Sequence, residues 1–124
     1  MKIRSHKELE VYQIVYDAAM QIFRISKSFP KEERYSLTDQ IRRSSRSVCA
    51  NIAEAFRKRR YPNSFVAKLS DAEAETAETQ VWLDFAFDCE YISGEMHDDL
   101  FTKYENITEK LVNMSLHPDQ WQYG

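Results

Sequence analysis

The chain has 124 residues, 43% of them apolar, 13% aromatic and 30% charged, with a net charge of −3. That is the length of one domain with enough apolar content to bury a core, and 2 Gly and 3 Pro exclude collagen-like and low-complexity chains. No apolar run nears the ~18 residues of a membrane span, Met1-Lys2-Ile3-Arg4 leads into charge rather than a secretory core, and Cys49 and Cys89 form no disulfide framework, so a cytoplasmic setting is expected.

Pro30, Pro62, Gly94 and Pro118 cut the chain into four segments without internal breakers. The first, about residues 6–28, carries two adjoining apolar rows at three- and four-residue steps. One is Leu9, Tyr12, Tyr16, Ala19, Phe23 and Ser26; the other is Val11, Ile14, Val15, Ala18, Ile22 and Ile25. One row satisfies an amphipathic helix, so two predict a second buried surface and hence a homo-oligomer. The second segment, about 36–60, turns Leu37, Ile41, Val48, Ile52, Ala55 and Phe56 inward, and its small residues Ser44, Ser45, Ser47, Ala50 and Ala53 allow close helix approach. The third, about 62–93, opens on Pro62 and keeps its spacing through Phe65, Leu69, Ala72, Thr76, Thr79, Leu83 and Ala86. The fourth, about 95–116, carries Met96, Leu100, Tyr104, Ile107, Leu111 and Met114 and stops before Pro118, leaving the tail 117–124 with Trp121 and Tyr123. Each helix is ~30–45 Å long. Short connections predict an all-α, antiparallel up-down-up-down four-helix bundle in a single domain.

Charge is split along the chain. Residues 1–68 hold 15 Lys/Arg against 7 Asp/Glu, and residues 69–124 hold 2 against 13. Packed helices bring the halves together, so mutual neutralisation is the first expectation. At ~100° per residue, Arg42, Arg46, Arg57 and Arg60 share one outward stripe about 27 Å long if the second helix continues to Arg60, with Arg43, Lys58 and Arg59 broadening its ends. Arginine forks suit phosphates, so the stripe is a candidate surface for RNA, DNA or an acidic partner. The competing reading is a solvated face trimmed by the pairs Asp39–Arg43 and Glu54–Lys58; Arg46 has no acid three or four residues away and must find its partner elsewhere.

The third helix supplies an enzymatic alternative. Asp71, Glu75 and Glu78 share a face, and Glu95 and Asp98 open the next helix. Such an ExxE and ExxD on facing helices resemble the all-α NTP pyrophosphatases, which implies Mg²⁺ held against a nucleoside triphosphate. Acids in a first helical turn also simply complement the macrodipole. His6, His97 and His117 belong to no ligand cluster, two glycines make no phosphate loop, and no resident cofactor is expected. Cys89, among Trp82, Phe85 and Ile92, is expected to be buried and inert. Trp82, Phe85, Phe87, Tyr91 and Phe101 are expected in a core or subunit seam.

Residues 29–44 read FPKEERYSLTDQIRRS, 47–55 read SVCANIAEA, and 77–86 read AETQVWLDFA, followed by Tyr91-Ile92. Together these blocks, within about residues 6–116, resemble the 23S rRNA intervening-sequence proteins. The resemblance implies a cytoplasmic bacterial four-helix bundle without established enzymatic activity, assembled as a homopentamer. It extends to a branch, the accessory variability proteins of diversity-generating retroelements, that binds a reverse transcriptase and nucleic acid through basic surface. Arg42 and Arg43 are the matched basic positions, and Gln40, Asn51 and Glu54 the matched polar ones. The expected role for Asn51 and Glu54 is polar bridging inside the bundle. Where the family has proline and glycine this chain has Cys49 and Ala55, which predicts a straighter second helix running on toward Arg60.

Overall fold

The computed structural model describes residues 3–122. They form four long helices, α1 (Glu10–Ser26), α2 (Leu37–Arg57), α3 (Pro62–Asp88) and α4 (Gly94–Leu116), with short 3-10 turns at His6–Glu8, Lys31–Glu33 and Pro118–Gln120. Among the described residues there is no strand. Helix α1 packs on α2 and α4, and α3 packs on the same two, so the four enclose one core. The apolar positions expected on the inward faces of α2 and α3 are all buried, as are Leu100, Tyr104, Ile107, Leu111 and Met114 of α4. No described helix is long and apolar enough to cross a membrane.

Several helix boundaries differ from the sequence expectations. The start of α1 moves from His6 to Glu10, because Ser5 and Glu8 form a capping box around the first 3-10 turn and Leu9 then adopts extended backbone. At its other end α1 stops at Ser26 rather than Ser28. Helix α2 runs unbroken through Cys49 and Ala55 but ends at Arg57, short of Arg60. The reason lies downstream: Pro62 holds Tyr61 in extended backbone, so residues 58–61 must reverse the chain. Helix α3 ends at Asp88, five residues early. Glu90 takes a left-handed φ of 66°, Tyr91 N–H donates to the Ala86 carbonyl and Glu90 N–H to that of Phe87. This is a Schellman cap with glutamate in the position usually held by glycine. Gly94 starts α4 instead of ending α3, behind a Ser93 side chain that accepts from Met96 N–H.

Of the two rows on α1, Val11, Val15, Ala18 and Ile22 enter the core. The other leaves Tyr16 half exposed and walls an open trough, described below. The small residues of α2 divide similarly. Ser44 and Ser45 are buried, with the Thr79 hydroxyl donating to Ser44 Oγ at 2.8 Å, whereas Ala50 and Ala53 line the trough. The tail turns back, setting Trp121 against the core and Gln122 Nε2 3.3 Å from the Arg60 carbonyl. Tyr123 lies outside the described residues.

At the α3–α4 seam His97 stands between the rings of Phe87 and Phe101, with Nε2 2.7 Å from Asp84 Oδ1 and Nδ1 3.1 Å from Asp98 Oδ1. Burial disfavours its charged form, but the two carboxylates outweigh that and raise its pKa above the ordinary value. A raised pKa in the folded state contributes stability that is complete below the unfolded value of about 6.5 and is lost as pH rises through the folded one. Thermal melts from pH 6 to pH 9 are therefore expected to show a decline of about 1–4 °C attributable to this residue. That part should be missing in His97→Gln.

Candidate nucleic-acid interface

Three residues before α2, the Lys31–Glu33 turn swings the chain so that Arg34 and Tyr35 face the first turns of the helix. With Thr38, Asp39, Arg42, Arg43 and Arg46 they line a groove of about 550 Å³. Arg42 is anchored from α1: its Nε donates to Ser26 Oγ at 2.8 Å, and its guanidinium lies 4.9 Å from the centre of the Phe23 ring. The partner that Arg46 lacked in sequence is the same ring, 5.8 Å away. Arg34 sits 5.2 Å over Tyr35. Among the described residues Arg34, Arg42 and Arg46 form no ion pair. Their charge is therefore spread over aromatic faces and the groove, a setting in which a guanidinium keeps its donors for an anion.

Arg43 behaves differently. It leaves Asp39 and crosses to α3, bonding Glu78 and approaching Glu75 at 3.2 Å, while its Nε donates to Gln40 Oε1 at 3.1 Å. Glu54 likewise turns from Lys58 to Lys68, 3.5 Å away, and Lys68 Nζ also donates to Asn51 Oδ1. The polar positions Asn51 and Glu54 thus serve contacts between α2 and α3 through Lys68, while Gln40 holds Arg43 from within α2.

The long stripe is not realised. Because α2 stops at Arg57, Arg60 lies in the reversing turn. Arg59 folds back, donating to the Phe56 carbonyl at 2.9 Å and stacking 4.0 Å from the Phe56 ring, where a cation complements a helix C-terminus. Arg57, Lys58 and Arg60 remain exposed as a separate basic cluster. Between it and the arginine groove lies an apolar trough of about 410 Å³, lined by Tyr12, Tyr16, Ala19, Met20 and Phe23 of α1 and by Arg46, Cys49, Ala50 and Ala53 of α2. Burial pushes the Cys49 thiol up to about 11, so it faces the trough as an inert apolar group.

The carboxylates proposed for Mg²⁺ are not brought together. Glu75 and Glu78 point to α2 and are engaged by Arg43, and Trp82 Nε1 donates to Glu78 at 3.0 Å. Burial disfavours the Glu78 carboxylate, but these bonds overcome that and hold its pKa below the ordinary range. Asp71 lies beside Lys68, and Asp98 pairs with His97. Glu95 sits in the first turn of α4 and Asp98 just after it, level with Asp84 rather than with Glu75. Among the described residues no group of three His, Cys, Asp or Glu side chains could hold a metal ion. Cys89 is exposed rather than buried, because the helix ends beneath it and leaves it in the cap of α3. Phe85 and Phe87 are also open to solvent, and only part of the expected aromatic cluster packs inward.

Sequence reasoning missed Arg34 and Tyr35. They lie outside the helical phase on which the stripe was built, and the signal that could have found them is the basic-aromatic pair immediately ahead of the α2 start.

Among functionally curated proteins none matches the chain. A solved structure of a protein of unknown function from the S23 ribosomal protein family of Bacteroides thetaiotaomicron is similar, with a TM-score of 0.76 and 28% identity. The match covers 85% of this chain and 94% of that one. The sequence model of the 23S rRNA-intervening sequence protein matches residues 7–113. With most of its length so matched, the chain belongs to the 23S rRNA-intervening sequence protein family.

Proposed function

We propose that the chain is a non-enzymatic binding scaffold, an assembly of identical bundles that holds nucleic-acid phosphates in the arginine groove of each copy. The observation that carries this reading is the convergence of Arg34, Arg42 and Arg46, none with a carboxylate partner among the described residues, on one groove. An up-down-up-down helix order is supported by the pairings of Glu10 with Lys110 and of Glu54 with Lys68, in which an early position of one helix meets a late position of another. Assembly is supported by the apolar trough between α1 and α2, which a sister copy would cover; the family resemblance implies five copies in a ring. Display of the groove on each copy multiplies a weak single contact through effective concentration.

The test is fluorescence anisotropy with a labelled RNA across a salt series. Affinity is expected to fall linearly in log–log form as salt rises. Arg42→Glu with Arg46→Glu is expected to weaken binding about 10-fold or more near ~50 mM salt and to flatten the slope by about 1 per arginine. Circular dichroism checks that loss of the Arg42–Ser26 bond leaves the helices intact. Equal binding by wild type and variant would overturn the role given to the groove. No binding by either would leave a scaffold for an acidic protein partner.

A further inference from the structure

The nucleic-acid reading leaves open which form of the polymer the groove accepts. Tyr35 is 81% exposed, more than any other large hydrophobic side chain described. One hydrophobic ring so far into solvent is unremarkable by itself. This one, however, stands at the mouth of the arginine groove, where Arg34 lies 5.2 Å from the ring centre. Among the described residues no other ring packs on Tyr35. Arg42 and Arg46 follow it along α2, one helical turn (about 5.4 Å) apart, and so meet successive backbone positions of an extended strand.

We propose that the groove takes single-stranded nucleic acid, with one unstacked base laid on the Tyr35 ring and the adjoining phosphates held by Arg42 and Arg46. This rests on the functional reading above and deepens it. A volume of about 550 Å³ suits a nucleotide or two, in the range of ordinary ligand clefts. A duplex keeps its base faces stacked on one another and has none to offer a protruding tyrosine; a single strand does. Asp39 on the groove wall repels phosphate, which confines the backbone to the arginine side. The phenol of Tyr35 makes no hydrogen bond among the described residues, so replacing it by phenylalanine keeps the ring and breaks no contact within the bundle.

The experiment compares a fluorescein-labelled single-stranded RNA dodecamer with the same strand annealed to its complement, against wild type, Tyr35→Ala, Tyr35→Phe and Arg42→Glu/Arg46→Glu. Base stacking on an aromatic side chain predicts that Tyr35→Ala weakens the single strand by about 5- to 100-fold, leaves the duplex unchanged and keeps the salt slope, whereas Tyr35→Phe stays within about twofold of wild type. A single strand carrying 2-aminopurine should be quenched on binding to wild type and not to Tyr35→Ala. Unchanged single-strand affinity in Tyr35→Ala, or equal affinity for duplex and single strand, overturns the stacking proposal. If the arginine variant still loses binding in that case, the functional reading stands while this one falls. No binding of either RNA to wild type removes both. Because Tyr35 is exposed, its variants are expected to fold normally.

Discussion

Tyr104→Ala is expected to cost about 3–5 kcal/mol of folding stability, whereas Tyr104→Phe at the same position is expected to add about 1 kcal/mol. Tyr104 is a large side chain with no exposed surface, in the middle of α4. Removing its ring leaves a cavity that four long helices, tied at both ends by short turns, cannot collapse to fill. Against a typical total of about 5–15 kcal/mol for a domain, that loss brings the bundle close to unfolding. The hydroxyl has the opposite sign. It is buried, no described group accepts from it, and burial pushes its pKa far above the usual phenol value. A buried donor without a partner costs about 1–3 kcal/mol, so phenylalanine keeps the packing and removes the penalty. Urea titrations at one fixed protein concentration check both variants, with an unchanged m-value showing that the unfolded state is not responsible. Destabilisation by Tyr104→Phe would show that the hydroxyl has a partner.

On the proposed assembly and RNA binding, Ala50→Arg is expected to give single chains of 14.7 kDa and, in doing so, to weaken RNA binding by about 100-fold or more. Ala50 is exposed on the isolated bundle and lines the trough between α1 and α2, beside Arg46 one turn away. A guanidinium there leaves the core untouched. In a covered interface it would be buried next to a like charge, a cost of several kcal/mol. Glu54 is engaged by Lys68 on the α3 side and offers little relief. The substitution also adds a positive charge near the arginine groove, so simple electrostatics predicts tighter RNA binding. Weaker binding therefore isolates the contribution of multiple copies. Sedimentation equilibrium and anisotropy on the same samples decide the matter. A wild-type protein that already sediments as a single chain removes the premise, and an assembled variant with unchanged affinity removes the role of the trough.

Legibility in the sequence followed the physics of each feature. Helix number and inward faces were readable because one apolar side chain per turn is a local pattern that packing preserves. Phe65, Leu69, Ala72, Leu83 and Ala86 on α3 show this, with Thr76 and Thr79 keeping the same inward spacing between them. The polar bridges of Asn51 and Glu54 were readable in kind but not in partner. Local pairs such as Asp39–Arg43 compete with acids on α3 that are distant in sequence, and the cross-helix pair wins where half-buried Glu75 and Glu78 need a cation. The end of α3 escaped because its left-handed cap residue is Glu90, which carries none of the usual signal of glycine.

The amino-acid order alone determined the all-helical class, the four segments and the surplus apolar row on α1, since periodicity and chain breakers act within a few residues of one another. Only the tertiary structure decided where the cations go. Arg43 is spent on α3, Arg59 on the end of its own helix, and Arg34 reaches Arg42 and Arg46 through a turn. A charge takes its partner from whatever the packed helices set within a few ångströms of it, and that neighbourhood exists only once the chain has folded.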